Sequence, residues 1–457
     1  MVRWKTIRWR FDMVPGEALR IGAGAGFSAD RLDPAVDLVE RGRLDALVFE
    51  CLGERTLAQS MAQRRLNPQH GYNALLERRL RAVLSSCRRQ GICVLTNMGA
   101  ANPSAAGRAA IGVARDLGLT GLKVAVVSGD EVSERIAADT PLWEGGIAGD
   151  KGALICANAY LGSEALLPAL SEGADVVIAG RVSDPALFLA PMRHRFGWAE
   201  DDWAVLGAGT AMAHLLECAG QVTGGYFADP GYKDVAGLAY LGFPFADIQS
   251  DGSGTLSKLA DAGGLVDVRT VKEQLLYEIH DPARYETPDV TADFSSVVLR
   301  QEGSDRVFVG GATGTERPPE LKAMLAFDGG FHAEAGLSYA GPGALARAEL
   351  AAAIVEERMR QVHGMEGPLR IDVIGASSLH ATAMNYPTAG LDVRLHCALR
   401  SALRDEAEML LWEVESLLCC GPAGGGGYRG AVHAAIATYS ASISRQHVRP
   451  EWEMLVA

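Results

Sequence analysis

Residues 19–51, LRIGAGAGFSADRLDPAVDLVERGRLDALVFEC, decide the fold. Residues 19–25 are a short apolar run, residues 34–42 an amphipathic helix closed by Gly42, and residues 45–51 a second apolar run. A strand, a helix and a strand in that order describe a βαβ unit, in which a crossover helix joins two parallel strands. The alternation continues. Residues 92–96, 122–128, 153–157 and 174–179 read as further strands. Helices are expected up to Gln90 (broken near Asn67, Pro68 and Gly71), over 104–117 and 163–171, and after Asp184 and Pro185. A doubly wound open sheet and a barrel both fit this pattern, and the uneven connections favour the open sheet.

From about residue 220 the texture changes. Residues 220–256 are rich in Gly, Pro and Asp and read as loop with short strands; a strand and a helix follow over 263–282. Residues 295–300 and 306–310 read as paired strands, 321–326 and 369–374 as strands, and 343–362 and 402–418 as helices with strong helix formers at a 3.6-residue period. The expected organisation is an α/β domain over 1–219, with a mainly parallel sheet, flanking helices and a cleft at the strand ends. An α+β domain over 220–457 with a Gly-rich loop follows.

Composition bounds the function. The 457 residues are 48% hydrophobic and 22% charged, which is globular composition. With 43 basic against 56 acidic residues, the net charge of −13 repels polyanions, so no nucleic-acid partner is expected. Arg78, Arg79, Arg81, Arg88 and Arg89 share one predicted helix and read as a solvated face. No apolar run reaches the roughly 18 residues of a membrane span, and the N-terminal MVRWKTIRWRFDM lacks the apolar centre of a secretory signal. Eight cysteines without metal-site spacing read as reduced thiols in the cytoplasm. Serine-hydrolase, zincin and P-loop signatures are absent.

In parallel α/β sheets ligands bind beyond the carboxyl ends of the strands. Polar residues follow one strand after another there: Ser28; Glu50, Glu54 and Arg55; Asn97; Asp130; Asn158; Arg181 and Asp184. Paired carboxylates in a partly dry site can supply acid and base, so Glu50 is the expected base and Glu54 or Asp130 the acid. Arg55 and Arg181 are suited to hold an anionic group, and Asn97 and Asn158 to donate to a developing oxyanion. IGAGAGFSAD departs from the dinucleotide fingerprint, because the third glycine position falls on Phe27. It reads either as a turn offering backbone N–H groups to an anion or as a tight turn with positive φ. His214 and Glu217 lie three apart on one helical face with no third ligand nearby in sequence, so a hydrogen-bonded structural histidine is expected and no metal. Cys51 reads as a buried thiol. Gly425 lies in GPAGGGGYRG, residues 421–430, either a lid, an anion-binding loop or a flexible connection.

The stretches IGAGAGFSADR, LVFECLGERTLA, LTNMGAANP, ANAYLG, GRVSDPALFLAP, HLLECAGQVTGGYFADPGYKDV, VKEQLLYEIHDPARY with TPDVTADFS, SYAGPGALARA and GPAGGGGYRG occur in this order over nearly the whole chain. Together they resemble the acyclic terpene utilisation protein A (AtuA-like) family. The resemblance implies ancestry in a bacterial pathway that degrades citronellol and geraniol through acyl-CoA intermediates, and it brings no agreed catalytic residues. Some relatives continue into a further small C-terminal domain, which this chain is expected to lack. The expected function is therefore that of a cytosolic enzyme, catabolic or recruited to another pathway. Its substrate is a small-molecule carboxylate or acyl-CoA, and its chemistry that of a lyase, by hydration–dehydration or C–C cleavage. No cofactor is expected beyond coenzyme A as part of the substrate, and a homo-oligomer is the default. The alternatives are an accessory substrate-binding subunit that needs a partner protein and, on GAGAGF alone, a nicotinamide oxidoreductase.

Overall fold

The computed structural model describes residues 18–378 and 392–457. The basic N-terminal stretch discussed above lies outside them. Compactness separates two units: the described residues up to Ala326 with Thr438–Ala457, and Phe327–Ala437.

The larger unit begins as the sequence predicts. Strand β1 (Leu19–Ala25), helix α1 (Asp33–Arg41), β2 (Ala46–Phe49), α2 (Glu54–Leu66), α3 (Leu76–Gln90), β3 (Cys93–Thr96), α4 (Pro103–Asp116) and β4 (Lys123–Ser128) follow one another. Then come β5 (Leu154–Ala159), α5 (Leu167–Ser171), β6 (Val176–Ala179), α6 (Asp184–Phe196) and α7 (Trp203–Glu217). The centre of the main sheet is parallel, in the order β1-β2-β3-β6-β4. Its inner strands β2, β3 and β6 are buried along their whole length, which is why they read as unbroken apolar runs.

Two expectations need correction. The strand β5 does not join this sheet; it pairs with β14 (Glu320–Ala340). Strands that follow residue 220 do join it. They are β7 (Phe245–Ile248) and β8 (Gly254–Ser257), then, after helix α8 (Val268–Leu276), β11 (Val298–Gly303) and β12 (Arg306–Gly310). They extend the sheet from β1 in the order β1-β7-β8-β12-β11, and all these pairs are antiparallel. The free edge of β1 would otherwise present unpaired N–H and C=O groups. At the other end β18 (Glu451–Val456) pairs antiparallel with β4. The small strands β9 (Tyr285–Glu286), β10 (Thr291–Asp293) and β13 (Thr313–Thr315) form a separate sheet.

The GAGAG run is a packing device, and neither of the turns expected of it. None of Gly22, Gly24 and Gly26 has positive φ. A Cβ on Gly22 would meet Leu44 at 2.7 Å, one on Gly24 the Phe49 ring at 2.7 Å, and one on Gly26 the Cys218 backbone at 2.3 Å. Bare backbone here lets the end of β1 touch the chain leaving α7.

The smaller unit holds helices α9 (Ala344–Gln361) and α10 (Arg404–Cys420), with strands β15 (Leu369–Ile374) and β16 (Asp392–Ser401). With β14 and β17 (Gly426–Ser444) these strands form a sheet ordered β15-β16-β14-β17. Leu337, Tyr339, Leu395, Val355, Val414 and Leu417 lie in its core.

Candidate functional site

The parallel centre brings the predicted strand-end residues to one edge of the sheet, as the rule for such sheets requires. Glu50 follows β2, and its Oε1 accepts from the Leu52 amide at 2.9 Å and from Asn97 Nδ2, after β3, at 2.8 Å. Asn97 Oδ1 in turn accepts from the Cys51 amide at 2.8 Å. A second net joins the neighbouring loops: Asp130 Oδ2 accepts from Asn158 Nδ2 at 2.8 Å and from the Arg181 amide at 3.0 Å. All five side chains are buried. They latch the loops together and do not line the cavity beside them. Burial, aided by the charge of Asp184, pushes the Glu50 carboxyl up to about 8. Burial also raises Asp130, against the hydrogen bonds it accepts.

Arg181 is 1% exposed, and its donors are taken up within the protein. They go to the Val182 and Leu52 carbonyls and to Asp184, while the guanidinium lies 4.3 Å above the Tyr160 ring. It orients Asp184 and Tyr160 and has no fork left over for an anion.

The cavity itself has a volume of about 490 Å³, within the usual range for a small-molecule site. One of its walls is a cluster of Glu54, Tyr160 and Lys322. Glu54 opens α2, where a carboxylate favours the helix dipole. Its Oε1 accepts from Lys322 Nζ at 3.0 Å and from the Tyr160 hydroxyl. Burial opposes the charge on Glu54, but Tyr160 and Lys322 outweigh it and hold the carboxyl down at about 2. Burial lifts the Tyr160 phenol well above its usual range. Pairing of β5 with β14 sets the geometry: the Tyr160 amide donates to the Lys322 carbonyl at 2.8 Å, and Lys322 Nζ lies 4.9 Å from the Tyr160 ring and 5.9 Å from that of Trp143.

The last turn of α7 supplies a second pair, His214 and Glu217, which also line the cavity. His214 Nδ1 lies 2.7 Å from Glu217 Oε1. The imidazole is flanked by Tyr285 at 5.6 Å and Phe294 at 5.9 Å. Burial raises the Glu217 carboxyl to about 7; His214 works against the shift, and the charges of Asp184 and Glu278 add to it. The histidine is hydrogen-bonded, as the sequence suggested, and it faces the cavity. Among the described residues, no group of three or more His, Cys, Asp or Glu is placed to hold a metal ion.

Of the residues the sequence singled out, Glu54, Asp184, His214 and Glu217 line the cavity, and Glu50, Asn97, Asp130, Asn158 and Arg181 stand behind it. Ser28 is half-buried and Arg55 exposed, and neither lines it. Gly425 belongs to the smaller unit, where a Cβ would press on Leu337 at 2.8 Å. That close approach accounts for the glycine by packing. Cys51 is buried, and Arg79 Nη1 donates to its sulfur at 2.9 Å; burial pushes the thiol up, away from nucleophilic use. Sequence reasoning missed Lys322. Its signal is a lone charge within the apolar strand LKAMLA, residues 321–326.

The family model described as acyclic terpene utilisation family protein AtuA matches residues 19–454. No curated protein and no solved structure matches the chain.

Proposed function

Because the chain belongs to the acyclic terpene utilisation AtuA family, we propose that its cavity is the active site of a lyase for a small branched molecule bearing a carboxylate or thioester carbonyl. The observation that carries this reading is the presence of Lys322 and the His214–Glu217 pair in one cavity. An ammonium can anchor a carboxylate and stabilise the enolate-like charge that forms when a proton leaves the neighbouring carbon. A carboxyl that burial raises to about 7, hydrogen-bonded to an imidazole, is matched to moving that proton. Tyr160, donating to Glu54 beside Lys322, can turn its hydroxyl to the same oxygen. Trp143, Ile279, Leu321 and Pro185 supply apolar wall for a branched chain.

Glu54, Asp184, Glu217, Glu278, Glu286 and Glu320 also face this volume. A polyphosphate would be repelled there, so only the acyl part of a coenzyme A thioester suits the cavity. The test is to incubate the full chain in D₂O with branched hydroxy acids, their unsaturated counterparts and the coenzyme A thioesters of both. Proton NMR then follows exchange next to the carbonyl. Exchange or turnover with at least one class is expected, with a loss of about 100-fold or more in Lys322→Met and in Glu217→Gln. Absence of exchange and turnover across the panel removes the lyase reading.

A further inference from the structure

Three buried polar atoms around the cavity have no hydrogen-bond partner among the described residues: Ser183 Oγ, His214 Nε2 and Glu217 Oε2. Their residues are 6%, 2% and 8% exposed, and all three line the cavity. Buried polar groups are nearly always paired, and each exception calls for a reason. Ser183 is the more telling because it occupies the N-cap of α6, where a serine oxygen ordinarily accepts from the first turn, yet it makes no cap bond. His214 and Glu217 come from the end of α7. The residues that carry these orphaned atoms thus sit on two separate helices and line one cavity, with Asp184, next in sequence to Ser183, close enough to act on the Glu217 charge.

We propose that Ser183, His214 and Glu217 form a hydroxyl-binding subsite of this cavity, so that the substrate is a hydroxy acid or its thioester. The inference rests on the proposed function for its other end, the Lys322 anchor. When Glu217 is ionised, His214 donates Nδ1–H to it, and Nε2 is left as an acceptor. Glu217 Oε2 is an acceptor as well, and Ser183 offers a hydroxyl hydrogen. A ligand hydroxyl has the complementary set: it donates one hydrogen and accepts another. A second carboxylate on the ligand would meet Glu217, Asp184 and Glu278 and be repelled. The two ends of the cavity therefore discriminate, with the anionic or carbonyl end directed to Lys322 and the hydroxyl to the α6–α7 side. A hydroxyl held beside a proton-exchanging pair fits both forms of the proposed lyase, since it is the group lost in dehydration and the group that becomes a carbonyl in C–C cleavage.

The experiment is titration calorimetry on the full chain with three matched probes: 3-hydroxy-5-methylhexanoate, 5-methylhexanoate and 3-amino-5-methylhexanoate. The hydroxy acid should bind at least about tenfold more tightly than the plain acid, a difference of about 1.4 kcal/mol. That preference should fall below about threefold in Ser183→Ala and in His214→Phe, with thermal melts confirming that both variants are folded. Equal binding of the hydroxy and plain acids overturns the subsite and leaves the Lys322 anchor standing. A preference that survives in the folded variants also overturns it, as does tighter binding of the amino acid probe, which would make this a cation site. If none of the three probes binds, the small-acid reading fails and takes the subsite with it.

Discussion

Glu50 keeps its proton to about pH 8 in the folded chain, because burial disfavours its charge and Asp184 adds to the effect. Unfolded, it would ionise near the ordinary carboxylate value of about 4.3. Between those values the unfolded state releases a proton that the folded state retains, so stability declines as pH rises through the interval and levels off above it. Glu50→Gln keeps an acceptor for Leu52 and Asn97 and removes the ionisation. Its melting temperature should exceed that of the parent by a margin that widens by about a few degrees from pH 5 to pH 8.5. A margin independent of pH would contradict this. Glu54 behaves in the opposite sense. Its carboxyl is held at about 2 despite partial burial, through Tyr160 and Lys322. The stability it lends is present above the ordinary carboxylate value and is lost only as pH falls through about 2. Lys322→Met should move its midpoint upward in a carbon-13 NMR titration of the side-chain carboxyls; an unmoved midpoint would show that the ammonium is not what holds it.

Among the elements, β1 shows what a sequence can and cannot convey. Its place in a βαβ unit follows from periodicity alone. The reason for its glycines does not, because Cys218 reaches Gly26 only through the tertiary fold. Gly26→Ala should lower stability by about 1–3 kcal/mol or more, since backbone must give way. Gly112→Ala is the opposing control: the site is exposed and inside α4, and among the described residues beyond its own helix backbone a Cβ there would meet nothing within 4 Å. It should raise stability by about 0.5–1 kcal/mol. Denaturant melts would read both signs. Asn102 caps α4 through Ala105 at 3.3 Å and also donates to the Pro68 and His70 carbonyls, at 2.9 and 2.7 Å. Asn102→Ala should therefore cost about 1–3 kcal/mol, above the usual cap value of about 1, and a loss under about 0.5 would show that the carbonyl contacts contribute little. The long strand β14 was legible only in part. The sequence reads as strand only over residues 321–326, yet β14 runs on to Ala340 through Asp328, Gly329 and Gly330, the last at φ 71°. The same limit governs the site. Parallel pairing predicts that Glu50, Asn97, Asp130 and Arg181 meet, whereas Asn158 arrives on β5 from outside that sheet, and strand order does not say whether a side chain turns inward or into the cavity. Lys322 depends on β5 pairing with a strand far along the chain, which no local pattern announces.

For the molecule as a whole, a net charge of −13 disfavours a polyanionic partner. The basic helix α3 does not offset it. Arg79 is buried, a correction to the solvated face expected of it, and Arg81 and Arg88 pair with Asp116 and Asp175. The Arg79 guanidinium stays inside because Phe49 lies 5.8 Å beneath it and the Asp30 carbonyl accepts from it at 3.1 Å. A labelled DNA duplex at about 0.1 M salt should therefore show no anisotropy change with micromolar protein; submicromolar binding would refute this. Among the described residues no helix is long and apolar enough to cross a membrane. The pairing of β18 with β4 bears on how the protein is made. On a ribosome adding about 5–20 residues each second, β4 emerges tens of seconds before its partner. Throughout that interval the Lys123–Ser128 edge stands open, a template for any other nascent strand. Chains released early by a stalled or truncated message would keep that edge for good, so prematurely terminated products of this protein are the species to look for in inclusion bodies.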